Sequence, residues 1–248
     1  MTVGSILATN LLSPVILAFA LGVVTRLIKS EFRLPKDLYA SLSIYLLLAL
    51  GIKGGVELSH VSLAQFAGPA GVTLLLGCLT PITSYAVLRK LGRFDAANSA
   101  AIAAHYGSVS AVTFIAAQTF VTAMGERPEG YMPTLLLLEM GIVAADRISD
   151  LKKVGLFLGA FGIVMPLVHG ALGVVLGVFA GLSAGGATML GAMAASASYI
   201  AAPPAARMSL PTANPTFYLT AALAITFPFN VVAGIPVYYA IARAIHGG

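Results

Sequence analysis

The fold of this chain is decided by residues 104–113, which read Ala104-His105-Tyr106-Gly107-Ser108-Val109-Ser110-Ala111-Val112-Thr113. They place small hydroxyl residues in the middle of an apolar stretch. Non-helical backbone at membrane depth is tolerated only where protein covers it or where it lines a cavity. A break here frees amides beside the hydroxyls of Ser108, Ser110 and Thr113, which suits a small anion. The alternative is a helix contact through small residues, since Ser also bonds back to its own helix.

A second copy of this motif favours the binding site. Residues 195–204 read Ala195-Ser196-Ala197-Ser198-Tyr199-Ile200-Ala201-Ala202-Pro203-Pro204, and Ser-x-Ser recurs at an offset of 88 from Ser108 to Ser196. The Pro203-Pro204 pair lacks two backbone donors, so we expect it to break the second helix. Two matching breaks therefore predict one anion-binding site formed by both breaks.

Composition defines the class of protein. The chain is 58% hydrophobic and 9% charged, with a mean hydropathy of +0.94, whereas a typical soluble domain is about 25% charged. It is therefore predicted to be an all-α polytopic membrane protein. The net charge of +5 is interpreted as a topology signal, and no nucleic-acid partner is expected. The spans contain no nucleophile–base pair and no metal-ligand spacing, so neither an enzyme nor a cofactor is predicted.

A spanning length of about 20 residues divides the chain into eight apolar segments. They cover about 6–25, 38–56, 67–88, 96–123, 131–145, 154–182, 185–202 and 216–242. Asp95 is predicted to cap the fourth segment, and Pro35, Pro128 and Pro215 mark entries to others.

The basic residues predict the orientation. Eleven of the fourteen lie at alternate ends of the spans, which predicts that those ends lie in the cytoplasm and that the N-terminus lies outside. These eleven are Arg26, Lys29, Arg33, Lys36, Arg89, Lys90, Arg93, Arg147, Lys152, Lys153 and Arg207, against Lys53, Arg127 and Arg243 on the opposite side.

Further repeats indicate two homologous halves, 1–135 and 136–248. Leu46–Gly51 resembles Leu136–Gly141, and Gly77-x-x-x-Pro81 recurs as Gly162-x-x-x-Pro166. The segment 131–145 is too short to cross a hydrocarbon core of about 30 Å. We therefore expect that roughly 70 native residues are missing near Leu135–Leu138, so that ten spans form two inverted halves of five.

Together with residues 104–113 and 195–198, one long run resembles the sodium-dependent bicarbonate transporter (SbtA-like) family. The run is Pro203-Pro204-Ala205-Ala206-Arg207-Met208-Ser209-Leu210-Pro211-Thr212-Ala213-Asn214-Pro215. The resemblance implies a homotrimeric secondary transporter with ten transmembrane helices, in which two discontinuous helices cross at the midplane and hold bicarbonate. It implies alternating access of a mobile core, about 67–130 and 154–248, against a gate, about 1–60 and 136–150. It also implies a PII-like regulatory partner at the cytoplasmic face.

Carried over by position, the resemblance implies two sets of contacts. The anion contacts are Gly107, Ser108, Val109, Ser110, Ser196 and Ser198, and the sodium contacts are Ser110, Thr113, Ser198, Tyr199 and Asn214. Cyanobacterial members carry an acidic residue where this chain has Tyr199, so sodium coupling stays open. A carrier for another small anion or organic acid, or an uncoupled anion channel, also stays open. His105 is interpreted either as a pH sensor or as a hydrogen-bonded packing residue.

Overall fold

The computed structural model describes residues 11–30, 62–125, 151–199 and 202–247, with single positions between 35 and 52. Eight helices and no strand occupy these residues. They are α1 (Pro14–Leu27), α2 (Leu63–Lys90), α3 (Ala96–Tyr106), α4 (Ala111–Ala123), α5 (Leu151–Phe179), α6 (Ala184–Ala194), α7 (Ala202–Ser209) and α8 (Pro215–Ile245).

Four of the eight predicted membrane spans are confirmed as helices of spanning length and composition, whereas the described parts of the predicted spans 6–25 and 185–202 form shorter helices. Four stretches are long and apolar enough to cross a membrane: Ala64–Lys90, Ala96–Ala123, Gly155–Phe179 and Pro215–Ile245. They agree with the predicted spans 67–88, 96–123, 154–182 and 216–242. The predicted spans 38–56 and 131–145, and the junction at Leu135–Leu138, lie almost entirely outside the described residues. The count of ten spans therefore stays a prediction.

The second break differs from the expected one in its cause. Helix α6 ends at Ala194, and α7 begins at Ala202, so the predicted span 185–202 stops short of the helix end at Ser209. Pro203 and Pro204 lie in the first turn of α7. Proline fits there because first-turn amides have no partner within the helix. The prolines therefore start the second half-helix, since α6 has already ended at Ala194, well before Pro203.

Side-chain caps fix where the helices begin. The Asn98 N–H donates to Asp95 Oδ1 at 2.9 Å, which confirms Asp95 as the N-cap of α3. Pro215 is the first residue of α8, and the Asn214 side chain accepts from the Thr216 N–H at 2.9 Å. These caps satisfy amides that the helix cannot pair internally.

Two helices depart from regular α geometry. Helix α5 is interrupted at Gly155, where φ is 74° and ψ is 164°, and it is regular beyond that point. Helix α8 contains two π segments, Thr220–Thr226 and Asn230–Gly234, on either side of Phe227-Pro228-Phe229. Such π segments are frequent at functional sites, and the residues at their boundaries contact both breaks, as described below.

Glycines allow α5 to lie very close to α6. A Cβ added to Gly173 would lie 2.9 Å from Gly191 Cα, and one added to Gly191 would lie 2.8 Å from the Gly170 carbonyl oxygen. Without a hydrophobic driving force in lipid, close packing of small residues is what holds membrane helices together. This contact fixes α6 and therefore the position of the second break.

The two interrupted helices run in opposite directions. Helix α3 begins beside the start of α8, where the Asn214 N–H donates to Asn98 Oδ1 at 2.7 Å. Helix α4 ends where α6 begins, since Gly125 and Ala184 line one cavity of about 250 Å³. The pair α3–α4 and the pair α6–α7 are therefore antiparallel. Inverted halves would produce this local geometry.

Replacing Asp95 by Ala is expected to lower the unfolding free energy by about 1 kcal/mol, because α3 loses its N-cap. The melting temperature Tm of purified protein in detergent measures this loss. Asp95→Asn keeps a capping oxygen and is the matched control. Equal Tm values for all three proteins would show that the cap does not stabilise α3.

The same cap predicts a dependence on pH. The Asn98 backbone N–H, above all, holds the pKa of the exposed Asp95 carboxyl below its ordinary value. A carboxyl whose pKa is lowered by folding stabilises the protein above its unfolded pKa of about 3.9 and loses this contribution as the pH falls further. The Tm difference between wild type and Asp95→Asn should therefore change only under strongly acidic conditions. A change near neutral pH would contradict this assignment.

Candidate functional site

The two breaks bond directly to each other. The Ser110 N–H donates to Ser196 Oγ at 3.0 Å, and the Ser198 N–H donates to the His105 carbonyl oxygen at 2.8 Å. Ser196 Oγ in turn donates to the Met193 carbonyl oxygen at 2.8 Å. All four serine and histidine residues are buried. Each break therefore supplies hydrogen-bond partners that the other lacks.

Ser110 has two structural roles at the crossing. Its side chain accepts the Thr113 N–H at 3.3 Å and so forms the N-cap of α4. Its own N–H is held by Ser196 across the crossing. Ser110 and Ser196 thus use much of their hydrogen-bonding capacity within the protein.

His105 is packed at the end of α3. Its Nδ1 lies 2.7 Å from the Ala101 carbonyl oxygen, which can only accept, so Nδ1 carries the proton. The ring stacks on Tyr218 with centroids 4.5 Å apart, and the side chain is fully buried. Nε2 has no partner among the described residues. These contacts agree with the interpretation of His105 as a packing residue. They also hold the residue where its carbonyl oxygen accepts the Ser198 N–H.

Helix α8 supports both breaks from the side. Asn230 Nδ2 donates to the Ala195 carbonyl oxygen at 2.8 Å, and the Tyr238 hydroxyl lies 2.9 Å from Asn230 Oδ1. On the other side, the Tyr106 hydroxyl lies 2.6 Å from Thr226 Oγ1. Thr226 Oγ1 donates to the Gly162 carbonyl oxygen at 2.8 Å, so Tyr106 is the donor to Thr226. Thr226 is the last residue of the first π segment, and Asn230 is the first residue of the second. The residues of α8 that contact the breaks thus lie at the boundaries of the π segments.

A pocket of about 100 Å³ opens beside the first break. Ser108 is half-buried there, and Val109 is 51% exposed. None of the lining residues is charged. They come from α2, the first break and α6, and are Thr73, Leu76, Gly77, Thr80, Tyr106, Gly107, Ser108, Val109, Leu190, Met193 and Ala194. The pocket therefore offers only neutral hydroxyl and amide groups within an apolar wall.

The approach of α2 to the break requires glycine at position 107. A Cβ on Gly107 would lie 2.8 Å from Pro81 Cβ, closer than real Cβ contacts allow. The repeated Gly77-x-x-x-Pro81 motif therefore marks the face of α2 that packs on the break. In the sequence this motif served only as a sign of duplication. Thr80 on α2 and Met193 on α6 were therefore not predicted to line a pocket.

The structure separates the predicted site residues into three places. Gly107, Ser108 and Val109 line the pocket. Ser110, Thr113, Ser196 and Ser198 lie at the crossing. Buried Tyr199 lies against Phe227, with ring centroids 5.5 Å apart.

The structure places Asn214 apart from the other members of the predicted cation set, and its role in binding a cation stays a prediction. Asn214 caps α8 beside Asn98, and Asn98 precedes His105 by about two helical turns, which is roughly 10 Å along α3. Asn214 therefore lies at the helix end and away from the crossing. A capping Asn and a ligating Asn look alike in sequence. The described residues also contain no group of three His, Cys, Asp or Glu that could hold a metal ion.

Comparison with known proteins gives one family match. A family model described as the Na⁺-dependent bicarbonate transporter superfamily matches residues 14–136 and 134–243. The two matched segments meet at 134–136, close to the junction expected from the sequence. No curated protein matches the chain.

Replacing Ser196 by Ala is expected to lower the unfolding free energy by about 1–3 kcal/mol, because the buried Ser110 N–H loses its acceptor. Ser84→Ala is the matched control: Ser84 is fully buried, but its hydroxyl has no partner among the described residues. Tm values in detergent should therefore fall for Ser196→Ala and stay unchanged or rise for Ser84→Ala. Equal losses in the two variants would contradict a special role for the bond between the breaks.

Proposed function

This chain belongs to the Na⁺-dependent bicarbonate transporter superfamily, and we propose that it is a secondary active transporter that imports bicarbonate. The observation that carries this proposal is the crossing of two antiparallel helix breaks beside an uncharged pocket. Discontinuous helices at the membrane midplane are where secondary carriers bind their substrates. Function then rests on binding and release, with no catalytic residue.

Neutral donors suit bicarbonate, which both donates and accepts hydrogen bonds. The pocket exposes the Ser108 hydroxyl and the Val109 amide at the start of α4. The positive end of the α4 dipole lies there and favours an anion. A fixed Arg or Lys would bind the anion more tightly and slow its release, and none lines the pocket. This chemistry supports rapid exchange of a small monovalent anion.

Sodium is the proposed coupling ion. A hard cation prefers oxygen ligands, and the first break offers oxygens of Ser110 and Thr113, while the second break offers oxygens of Ser198 and Tyr199. These residues are buried. No carboxylate lies among them, so the cation would be held by neutral oxygens and its charge would help to retain the anion. Coupling of this kind would be weaker than coupling through a buried carboxylate.

The proposed architecture is a homotrimer of ten-span subunits with two inverted halves. The antiparallel crossing supports inversion, and the family match in two segments that meet at 134–136 supports roughly 70 further residues between the halves. The core (67–130 and 154–248) would move like an elevator against the gate (1–60 and 136–150). We place the N-terminus outside a bacterial inner membrane, with a PII-like regulator at the cytoplasmic face.

Uptake of labelled bicarbonate into proteoliposomes tests this function. We expect uptake that rises with an inward sodium gradient and disappears when an ionophore dissipates the gradient. Ser108→Ala should reduce the uptake rate at low bicarbonate by about tenfold, since a hydrogen bond to a charged group is worth about 1.5–3 kcal/mol. The matched control is Ser183→Ala, which alters the N-cap of α6 at the far end of that helix.

The outcomes separate substrate from coupling. Bicarbonate uptake that does not depend on the sodium gradient would support bicarbonate as the substrate and would reject sodium as the coupling ion. Absence of bicarbonate uptake, together with uptake of another small anion or an organic acid, would overturn the proposed substrate. Conduction of anions at rates far above carrier turnover would identify a channel.

A further inference from the structure

A third helix contributes an unused donor to the pocket beside the first break. Thr80 on α2 is 3% exposed, and its hydroxyl pairs with no described residue although it lines the pocket. Thr73, two turns earlier on the same face, instead donates its hydroxyl to the Pro69 carbonyl oxygen at 2.8 Å. The Thr80 hydroxyl therefore remains available to a molecule in the pocket, whereas the Thr73 hydroxyl is already bonded.

Two further donors face the same space. The Ser108 hydroxyl and the Val109 N–H have no partner among the described residues, and both residues line the pocket. The neighbouring Ser110 N–H is already held by Ser196. Two donors of the first break are thus free at residues that line the pocket together with Thr80, whereas the Ser110 donor is bonded across the crossing.

Apolar side chains close the pocket on its other sides. Leu76 on α2 and Leu190 on α6 are each 3% exposed, and Met193 lies one turn beyond Leu190. The volume of about 100 Å³ holds a molecule of only a few heavy atoms. Met193 is the most adaptable part of this wall, because its side chain is unbranched and flexible.

We propose that the transported anion occupies this pocket, that Thr80 donates a hydrogen bond to it, and that Met193 limits its size. The proposal rests on the function proposed above and extends its site from the two breaks to α2. Thr80, Ser108 and Val109 together supply donors from two directions, which suits a small planar oxyanion. A longer carboxylate would clash with the side chains of Leu76 and Met193, which line the pocket.

Substitutions at Thr80 test the donor. Thr80→Val keeps the shape and removes the hydroxyl, and is expected to raise the KM for bicarbonate uptake about tenfold or more. Thr80→Ser keeps the hydroxyl and should stay within a few-fold of wild type. Ser84→Ala is the matched control: it removes a buried, unpaired hydroxyl one turn further along α2 and outside the pocket lining, so it should leave KM unchanged. Equal KM values for Thr80→Val and Ser84→Ala would overturn the role of Thr80.

Substitutions at Met193 test the size limit. Met193→Ala should allow propionate to compete with bicarbonate uptake, whereas wild type and the volume-conserving Met193→Leu should resist propionate. The Met193 carbonyl, which accepts from Ser196, is unchanged in all three. Competition that is identical in the three proteins would overturn the role of Met193.

Failure of the inference can be told apart from failure of the proposed function. Wild-type uptake of bicarbonate tests the function, and the differences among variants test the pocket. If wild type takes up no bicarbonate, the Tm shift on adding bicarbonate, formate or nitrate is compared between wild type and Thr80→Val. A shift that Thr80→Val abolishes would support an anion in this pocket. A shift that Thr80→Val retains, or no shift with any of the three anions, would overturn it.

Discussion

The structure depends on one constraint, which is that every backbone N–H and C=O at membrane depth needs a partner inside the protein. An unbroken helix meets this requirement by itself, and an interrupted helix does not. Here the two interruptions meet it for each other, through the Ser110 N–H on Ser196 and the Ser198 N–H on the His105 carbonyl. The glycine contact between α5 and α6 and the support from Asn230 on α8 keep the two breaks in register.

This constraint divides the polar groups of the crossing into two kinds. Ser110 and Ser196 are engaged in bonds that hold the breaks together. Ser108 and Val109, two residues and one residue before Ser110, are left free beside the pocket. A repeated Ser-x-Ser motif therefore does not mean four equivalent ligands. The position of each serine relative to the crossing decides whether it bonds to backbone groups at the breaks or lines the pocket.

Four membrane spans, the Asp95 cap and the interruption of both helices could be predicted from sequence, because hydropathy, capping and small polar residues act locally. The positions of Thr80 and Met193 in the pocket lining could not, since they arise from α2 and α6 meeting beside the first break. The separation of Asn214 from the other predicted cation contacts could not be predicted either, because only the tertiary structure shows which end of a helix lies at the crossing. Likewise, the position of Pro203 relative to a helix start decides whether it ends a helix or begins one.

The bonds between the breaks also limit how the two halves of the chain can diverge. Ser110 and Ser196 are far apart in sequence, yet each sets the position that the other must occupy. Inserting one residue into either break would displace both partners at once and leave buried amides unpaired in both halves. Substitutions that move Ser110 or Ser196 are therefore expected to require compensating changes at the other break. The two breaks are constrained together, whereas the lipid-facing surfaces of the helices can vary independently.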